Sequence, residues 1–241
     1  MSIEKLKKMV SESDNIVFFG GAGTSTESNI PDFRTADTGL YNMDGYKYPP
    51  EVILSHSFFM KYPEEFYKFY KSKMIYKDAK PNLAHKALAE LERKNKLKAV
   101  ITQNIDGLHQ LAKSNNVLEL HGSIYRNYCM KCSESYSLDY VINSEGIVPK
   151  CNKCGGIIKP DVVLYEEGLD IDVLKKAIEY VSKADMLIVG GTSLVVYPAA
   201  SLVEYYKGNK LILINKSATP YDHMANLVIH DSIGKVLNGV L

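Results

Sequence analysis

Four short stretches of this chain are apolar almost without interruption: "NIVFF" (15–19), "LKAVIT" (97–102), "DMLIVG" (185–190) and "KLILIN" (210–215). None alternates polar and apolar residues, so each predicts a strand covered on both faces, as in a parallel sheet lying under helices. Segments of helical period separate them. In "AHKALAELERKN" one stripe carries Ala84, Ala87, Leu88 and Leu91; in "DIDVLKKAIEYVSKA" it carries Ile171, Leu174, Ile178 and Val181. "YPAASLVEYYKG" predicts another helix, with Pro198 in its first turn and Gly208 past its end. Strand and helix in alternation specify a doubly wound α/β domain.

Two regions interrupt that alternation. Residues 35–81 are rich in Tyr, Phe and Pro, and "HSFFMKYPEEFYKFYKSKMIY" reads as aromatic helix broken at Pro63. Residues 123–159 hold every cysteine of the chain, Cys129 and Cys132, then Cys151 and Cys154, as two Cys-x-x-Cys pairs separated by eighteen residues. In a reducing compartment that spacing predicts a zinc site rather than two disulfides. Four thiolates leave no open coordination position, so the metal is expected to be structural. Both regions read as insertions that form a smaller domain, leaving 1–34, 82–122 and 160–241 for the larger one. At 241 residues with 46% hydrophobic content, the chain has enough apolar surface for a sizeable core. The net charge of +1 gives no field to attract nucleic acid or an anionic membrane, so neither is an expected partner. The longest apolar runs are far below the ~18 residues of a membrane helix. "MSIEKLKKMVSESD" lacks the apolar core of a secretion signal, and a cytoplasmic location is expected.

In open parallel sheets, ligands gather beyond the carboxyl ends of the strands. The four ends here read "GGAGTS" (20–25), "TQNIDGLH" (102–109), "GGTSL" (190–194) and "NKS" (215–217). Two are glycine-hydroxyl loops suited to phosphate, and two offer carboxamides or an acid suited to ribose or an amide-bearing ring. The first resembles a dinucleotide fingerprint, yet Thr26 stands where its third glycine belongs. "IPDFRTADTGLYNMDGY" also occupies the place of its second strand. A phosphate loop without the hydride-transfer layout argues against an ordinary dehydrogenase.

"GAGTSTESNIPDFR" (21–34), "TQNIDGLH", "HG" (121–122), the cysteine pairs, "KPDVV" (159–163), "GTSLVVYPA" (191–199) and "INKSATPYD" (214–222) together resemble the sirtuins, NAD-dependent protein-lysine deacylases. The resemblance runs through nearly the whole chain in order. It implies a Rossmann-like large domain, and a small domain of helices and a four-cysteine zinc module. An acyl-lysine peptide is expected in the cleft between them. It assigns Gly21, Ala22, Gly23 and Thr26 to the cofactor phosphates and ribose, and Phe33 and Arg34 to a loop above them. Gln103 and Asn104 are expected at ribose hydroxyls, and Ile105 and Asp106 at the nicotinamide carboxamide. An Asx cap on the following helix is the competing role for Asp106. Gly191, Thr192, Ser193, Asn215 and Lys216 would hold phosphates and the adenosine ribose, with Asp231, Ser232 and Ile233 flanking adenine. Val162, Val163, Leu164 and Tyr165 would line the peptide groove; the competing role for this stretch is a buried core strand.

The catalytic candidates are His121, as general base toward a ribose hydroxyl, and Asn104. His109 is assigned to structure, and His56, His85, His223 and His230 match no catalytic motif. The implied reaction moves the acyl group to ADP-ribose and releases nicotinamide and 2′-O-acyl-ADP-ribose. Two other functions fit a nucleotide cleft beside a zinc module: mono-ADP-ribosyl transfer, and NAD sensing by a regulator without catalysis. Two positions depart from the family pattern, Asn29 before "IPDFR" and Glu166 after "KPDVVLY", both where glycine is usual. Family members acting on acidic acyl groups resemble one another in a Tyr-x-x-Arg pair. Here Tyr70 and Lys73 have that spacing without the arginine, so an uncharged acyl group, acetyl first, is expected.

Overall fold

All four apolar runs become neighbours in one parallel sheet. The computed structural model describes residues 2–33, 39–40 and 47–241. The strands, in chain order, are β1 (Ile16–Gly20), β2 (Leu97–Thr102), β3 (Val117–Glu119), β4 (Gly122–Cys129), β5 (Ser135–Ser137), β6 (Ile158–Val162), β7 (Met186–Gly190), β8 (Leu211–Ile214) and β9 (Leu227–Ile229). Six of them form the large sheet in the order β3-β2-β1-β7-β8-β9, every pairing parallel. The chain builds outward from β1 to one side, then returns and builds outward from β7 to the other. The two central strands therefore part at their carboxyl ends, where such sheets open a crevice.

Side chains of successive strand residues point to opposite faces, and both faces are covered. Ile16 and Phe18 join Leu6, Leu88, Leu91 and Val236 on one side; Val17 and Phe19 join Val181, Leu202 and Leu213 on the other. The helix Leu83–Arg93 buries its predicted stripe of Ala84, Ala87, Leu88 and Leu91. The helix Ile171–Lys183 buries Ala177 and Val181, but Ile171, its first residue, remains 65% exposed. "YPAASLVEYYKG" folds as a helix over Ala199–Tyr205, as predicted, in the tighter 3-10 winding.

A second core lies apart from the sheet. Helices His56–Lys61 and Pro63–Lys73, separated at Tyr62 as Pro63 predicts, pack Phe58, Phe59, Phe66 and Tyr67 against Ile124, Ile158 and Val162. Those last three come from an antiparallel sheet in the order β5-β4-β6, which carries the cysteines at one end. The Tyr67 hydroxyl donates to the Ile158 carbonyl and ties the helices to this sheet. No helix among the described residues is long and apolar enough to cross a membrane.

Candidate active site

The glycine loop leaves β1 and turns at once against the loop leaving β7. The Gly23 N–H donates to the Gly191 carbonyl at 2.8 Å, and Gly191 has φ +63°. A Cβ on Gly23 would lie 2.8 Å from Gly191 Cα, and one on Gly191 2.3 Å from the Thr24 nitrogen. Only two glycines permit this approach. Other strand ends are knitted to the same place. Gln103 Nε2 donates to Thr192 Oγ1 at 3.1 Å, and the Thr192 N–H donates to Asn215 Oδ1 at 3.0 Å. Asn215 Nδ2 is buried without a partner among the described residues, a donor left for something in the cleft.

That cleft has a volume of about 670 Å³. It brings together the predicted Gly21, Ala22, Gly23, Thr26, Phe33, Gln103, Asn104, Ile105 and Asp106 from the first two loops. It also gathers Gly191, Thr192, Ser193, Asn215, Lys216 and Ile233, together with His121 and Val162, Val163, Leu164 and Tyr165. Ser232 does not line it; it caps the final helix, Ile233–Asn238, while Asp231 and Ile233 on either side do reach the cleft. Arg34 lies outside the described residues.

His121 sits at the turn between β3 and β4. Its Nδ1 is 3.0 Å from the Gln103 carbonyl, which can only accept, so Nδ1 carries the hydrogen and Nε2 keeps its lone pair. Burial holds the imidazole below the ordinary value of 6.5, with the Gln103 carbonyl opposing, so the ring is neutral at pH 7. A neutral imidazole with a free Nε2 can take a proton. The His121 carbonyl accepts the Val163 N–H at 3.0 Å, which sets β6 beside it.

Asp106 performs the competing role and a second one. Its Oδ1 accepts the Leu108 N–H at 2.9 Å, an Asx turn across Gly107 into the short helix Leu108–Leu111. Its Oδ2 accepts the Ser25 hydroxyl at 2.6 Å, and Ser25 Oγ in turn accepts Asn104 Nδ2 at 3.0 Å. Burial raises the Asp106 pKa, against those two hydrogen bonds. Ser25 is 1% exposed and is the residue that sequence reasoning overlooked. A serine among the hydroxyls of "GTSTES" carries no distinguishing signal until a carboxylate from another strand end faces it.

Val162 and Leu164 are buried in the second core with Phe58, Phe66 and Ile124, so their side chains follow the core-strand reading. Tyr165 donates its N–H to the Leu54 carbonyl, and its own carbonyl accepts the His56 N–H, at 3.0 Å each. Asn29 and Glu166, the two departures, have φ of +62° and +76°: each sits in the left-handed backbone that glycine would favour. Glu166 fastens itself there, accepting the Ser57 N–H at 2.9 Å and the Ser57 hydroxyl at 3.0 Å. Glu167 accepts Lys159 Nζ at 3.1 Å and the Leu164 N–H at 2.8 Å, and lies 2.8 Å from His56 Nδ1. Tyr70, Met74 and the half-buried Lys73 also line the cleft; the Tyr70 hydroxyl is buried without a partner among the described residues.

The Sγ atoms of Cys129, Cys132, Cys151 and Cys154 all lie within 4.8 Å of one another, three of their separations being 3.4, 3.4 and 3.6 Å. A zinc tetrathiolate with bonds of about 2.3 Å has sulfur–sulfur edges of about 3.8 Å, so the four sulfurs fit one ion. None is in a disulfide. The Lys131 and Lys153 N–H groups and the Tyr136 hydroxyl donate to these sulfurs, the outer bonds that orient metal ligands.

The family model described as Sir2 matches residues 21–198. This chain belongs to the Sir2 family. An NAD-dependent protein deacetylase of Clostridium acetobutylicum is 66% identical over 240 residues, covering 99% of this Sir2 chain and 98% of its own length. A Sir2 variant solved with a deacetylated p53 peptide and 3′-O-acetyl-ADP-ribose superposes with a TM-score of 0.91 at 41% identity, covering 100% of this chain and 97% of that one. A Sir2 with a p53 peptide and NAD+ gives 0.88 at 40% identity, with the same coverage. Family, overall fold and a four-cysteine cluster able to hold zinc therefore agree.

Proposed function

We infer that this Sir2 protein is an NAD-dependent protein-lysine deacetylase acting on acetyl-lysine peptides, and that it works in the cytoplasm. One observation carries the site assignment. A neutral imidazole with an available Nε2 opens on the same cleft as a glycine loop and a buried serine–asparagine–aspartate network. Bound NAD supplies the departing nicotinamide and the ribose that receives the acetyl group.

The chain's own residues then divide the work. Backbone N–H groups of the Gly21–Gly23 turn, with Thr192, Ser193 and the unpartnered Asn215 amide, suit the phosphates and adenosine ribose. Asp106, Ser25 and Asn104 form a rigid polar floor for the amide-bearing ring and its ribose. His121 Nε2 takes the ribose proton, and the Gln103 carbonyl stabilises the cation that results. Phe33 lines the cleft where it can exclude water. The backbone of Val163–Tyr165 borders the peptide, and Tyr70, Lys73 and Met74 surround the acyl end. Zinc stays structural, since four cysteine ligands complete its coordination. The deciding experiment incubates acyl-lysine peptides with and without NAD and identifies products by mass spectrometry. Deacetylation without NAD would overturn the reading.

A further inference from the structure

Two histidines that the proposed reaction does not use face each other beneath the glycine loop. His85 is fully buried and His109 is 1% exposed; their ring centroids are 4.7 Å apart, with Phe18 6.1 Å from His109. His85 Nε2 and both ring nitrogens of His109 are buried with no partner among the described residues. Unpaired nitrogens destabilise a core that Phe or Leu would fill without that cost, so the rings do more than occupy space.

Each ring stands at the start of a helix that grips the loop. His85 is the third residue of the helix Leu83–Arg93, and its Nδ1 lies 3.0 Å from Asn82 Oδ1 and 3.3 Å from the Asn82 nitrogen. Asn82 Nδ2 then donates to the Thr24 carbonyl at 2.8 Å and to Ser28 Oγ at 3.0 Å. His109 rides on Leu108–Leu111, whose first N–H is accepted by Asp106 Oδ1, and the other oxygen of Asp106 holds Ser25. Thr24 and Ser25 are consecutive. They are held from two directions by two helix starts that meet at the imidazole pair.

We propose that His85 and His109 are positioning residues for the cofactor, acting through Asn82 and Asp106 to fix the Thr24–Ser25 peptide under its nicotinamide-ribose half. Neither ring lines the cleft, so the effect is indirect. The proposal rests on reading the cleft as the NAD site, and the wild-type protein tests that premise first by forming O-acetyl-ADP-ribose. If it forms none, the premise has failed, whatever the variants do.

The test of the pair itself is His109→Leu in the full-length, zinc-loaded protein. KM for NAD is expected to rise about tenfold, the effect of weakening the Ser25–Asp106 hydrogen bond once the turn carrying Asp106 loses its ring contact. KM for the acetyl peptide should stay within about twofold, since no part of the groove leans on this pair, and zinc content should be unchanged. An unaltered KM for NAD, or parallel losses for both substrates, would overturn the proposal, because a merely structural role loosens both sites together. Should His109→Leu fail to fold, His85→Asn carries the same test: it keeps a side-chain nitrogen near the Nδ1 position and removes the ring contact.

Discussion

Burial keeps two imidazoles neutral in the folded protein, and this has a consequence for stability in acid. Burial lowers the His85 pKa from 6.5 to about 4, whereas in the unfolded chain it keeps its ordinary value. Between those values the unfolded state binds the extra proton and the folded state does not, so stability must fall as the pH drops. With 1.36 kcal/mol for each pH unit of separation, the loss from His85 reaches roughly 2 kcal/mol at pH 5 and roughly 3 kcal/mol at pH 4. His109, pushed down by burial and then by the neighbouring His85, adds in the same direction. Urea unfolding followed by circular dichroism at pH 7, 6, 5 and 4.5 measures the effect. His85→Asn keeps a nitrogen for Asn82 but cannot titrate, so its stability should depend less on pH by about the amount calculated for His85. Zinc release in acid affects both proteins and cancels in the difference. Equal slopes for wild type and variant would refute the reasoning.

Ser25→Ala removes a donor to the buried Asp106 and an acceptor for Asn104. A hydrogen bond to a charged group contributes about 1.5–3 kcal/mol, so kcat/KM for NAD should fall roughly ten- to hundredfold in steady-state assays while the peptide KM holds. Glu166→Ala keeps the left-handed strain and loses both bonds to Ser57; Glu166→Gly loses the bonds but relieves the strain. Thermal unfolding should find the glycine variant more stable than the alanine variant by about 1 kcal/mol, and the reverse order would show that this backbone is unstrained. Chelation of zinc should abolish the near-ultraviolet dichroism of Tyr136, whose hydroxyl sits 3.0 Å from Cys151 Sγ, while most helical signal from the large domain persists.

The central strands were legible because burial on both faces leaves no polar alternation, and all four apolar runs became β1, β2, β7 and β8. The outer strands β3 and β9 were not. Each is three residues long and follows a neighbour already in place, so tertiary pairing specifies them where local pattern does not. The zinc cluster was legible because ligand spacing is itself the signal. His121, Asp106 and the glycine loops were singled out by motif, and the structure brings them to one cleft and adds how they are held. Ser25, Asn82 and Glu166 show what sequence withholds. Their partners lie 81, 58 and 109 residues away along the chain, and no local signal links such pairs. The helix expected after Pro198 is in place, and it winds as a 3-10 helix. A pattern of apolar residues spaced for burial does not separate one helical pitch from another over seven residues.

The proton-accepting role of His121 Nε2 carries the proposed reaction. Wild type and His121→Ala, both zinc-loaded, should be compared on one acetyl-lysine peptide with labelled NAD. Wild type should yield deacetylated peptide, nicotinamide and labelled O-acetyl-ADP-ribose in equal amounts; the variant should bind NAD as before and turn over about 10²–10⁴-fold more slowly. Undiminished turnover by the variant, or label left on protein instead of on O-acetyl-ADP-ribose, would contradict it.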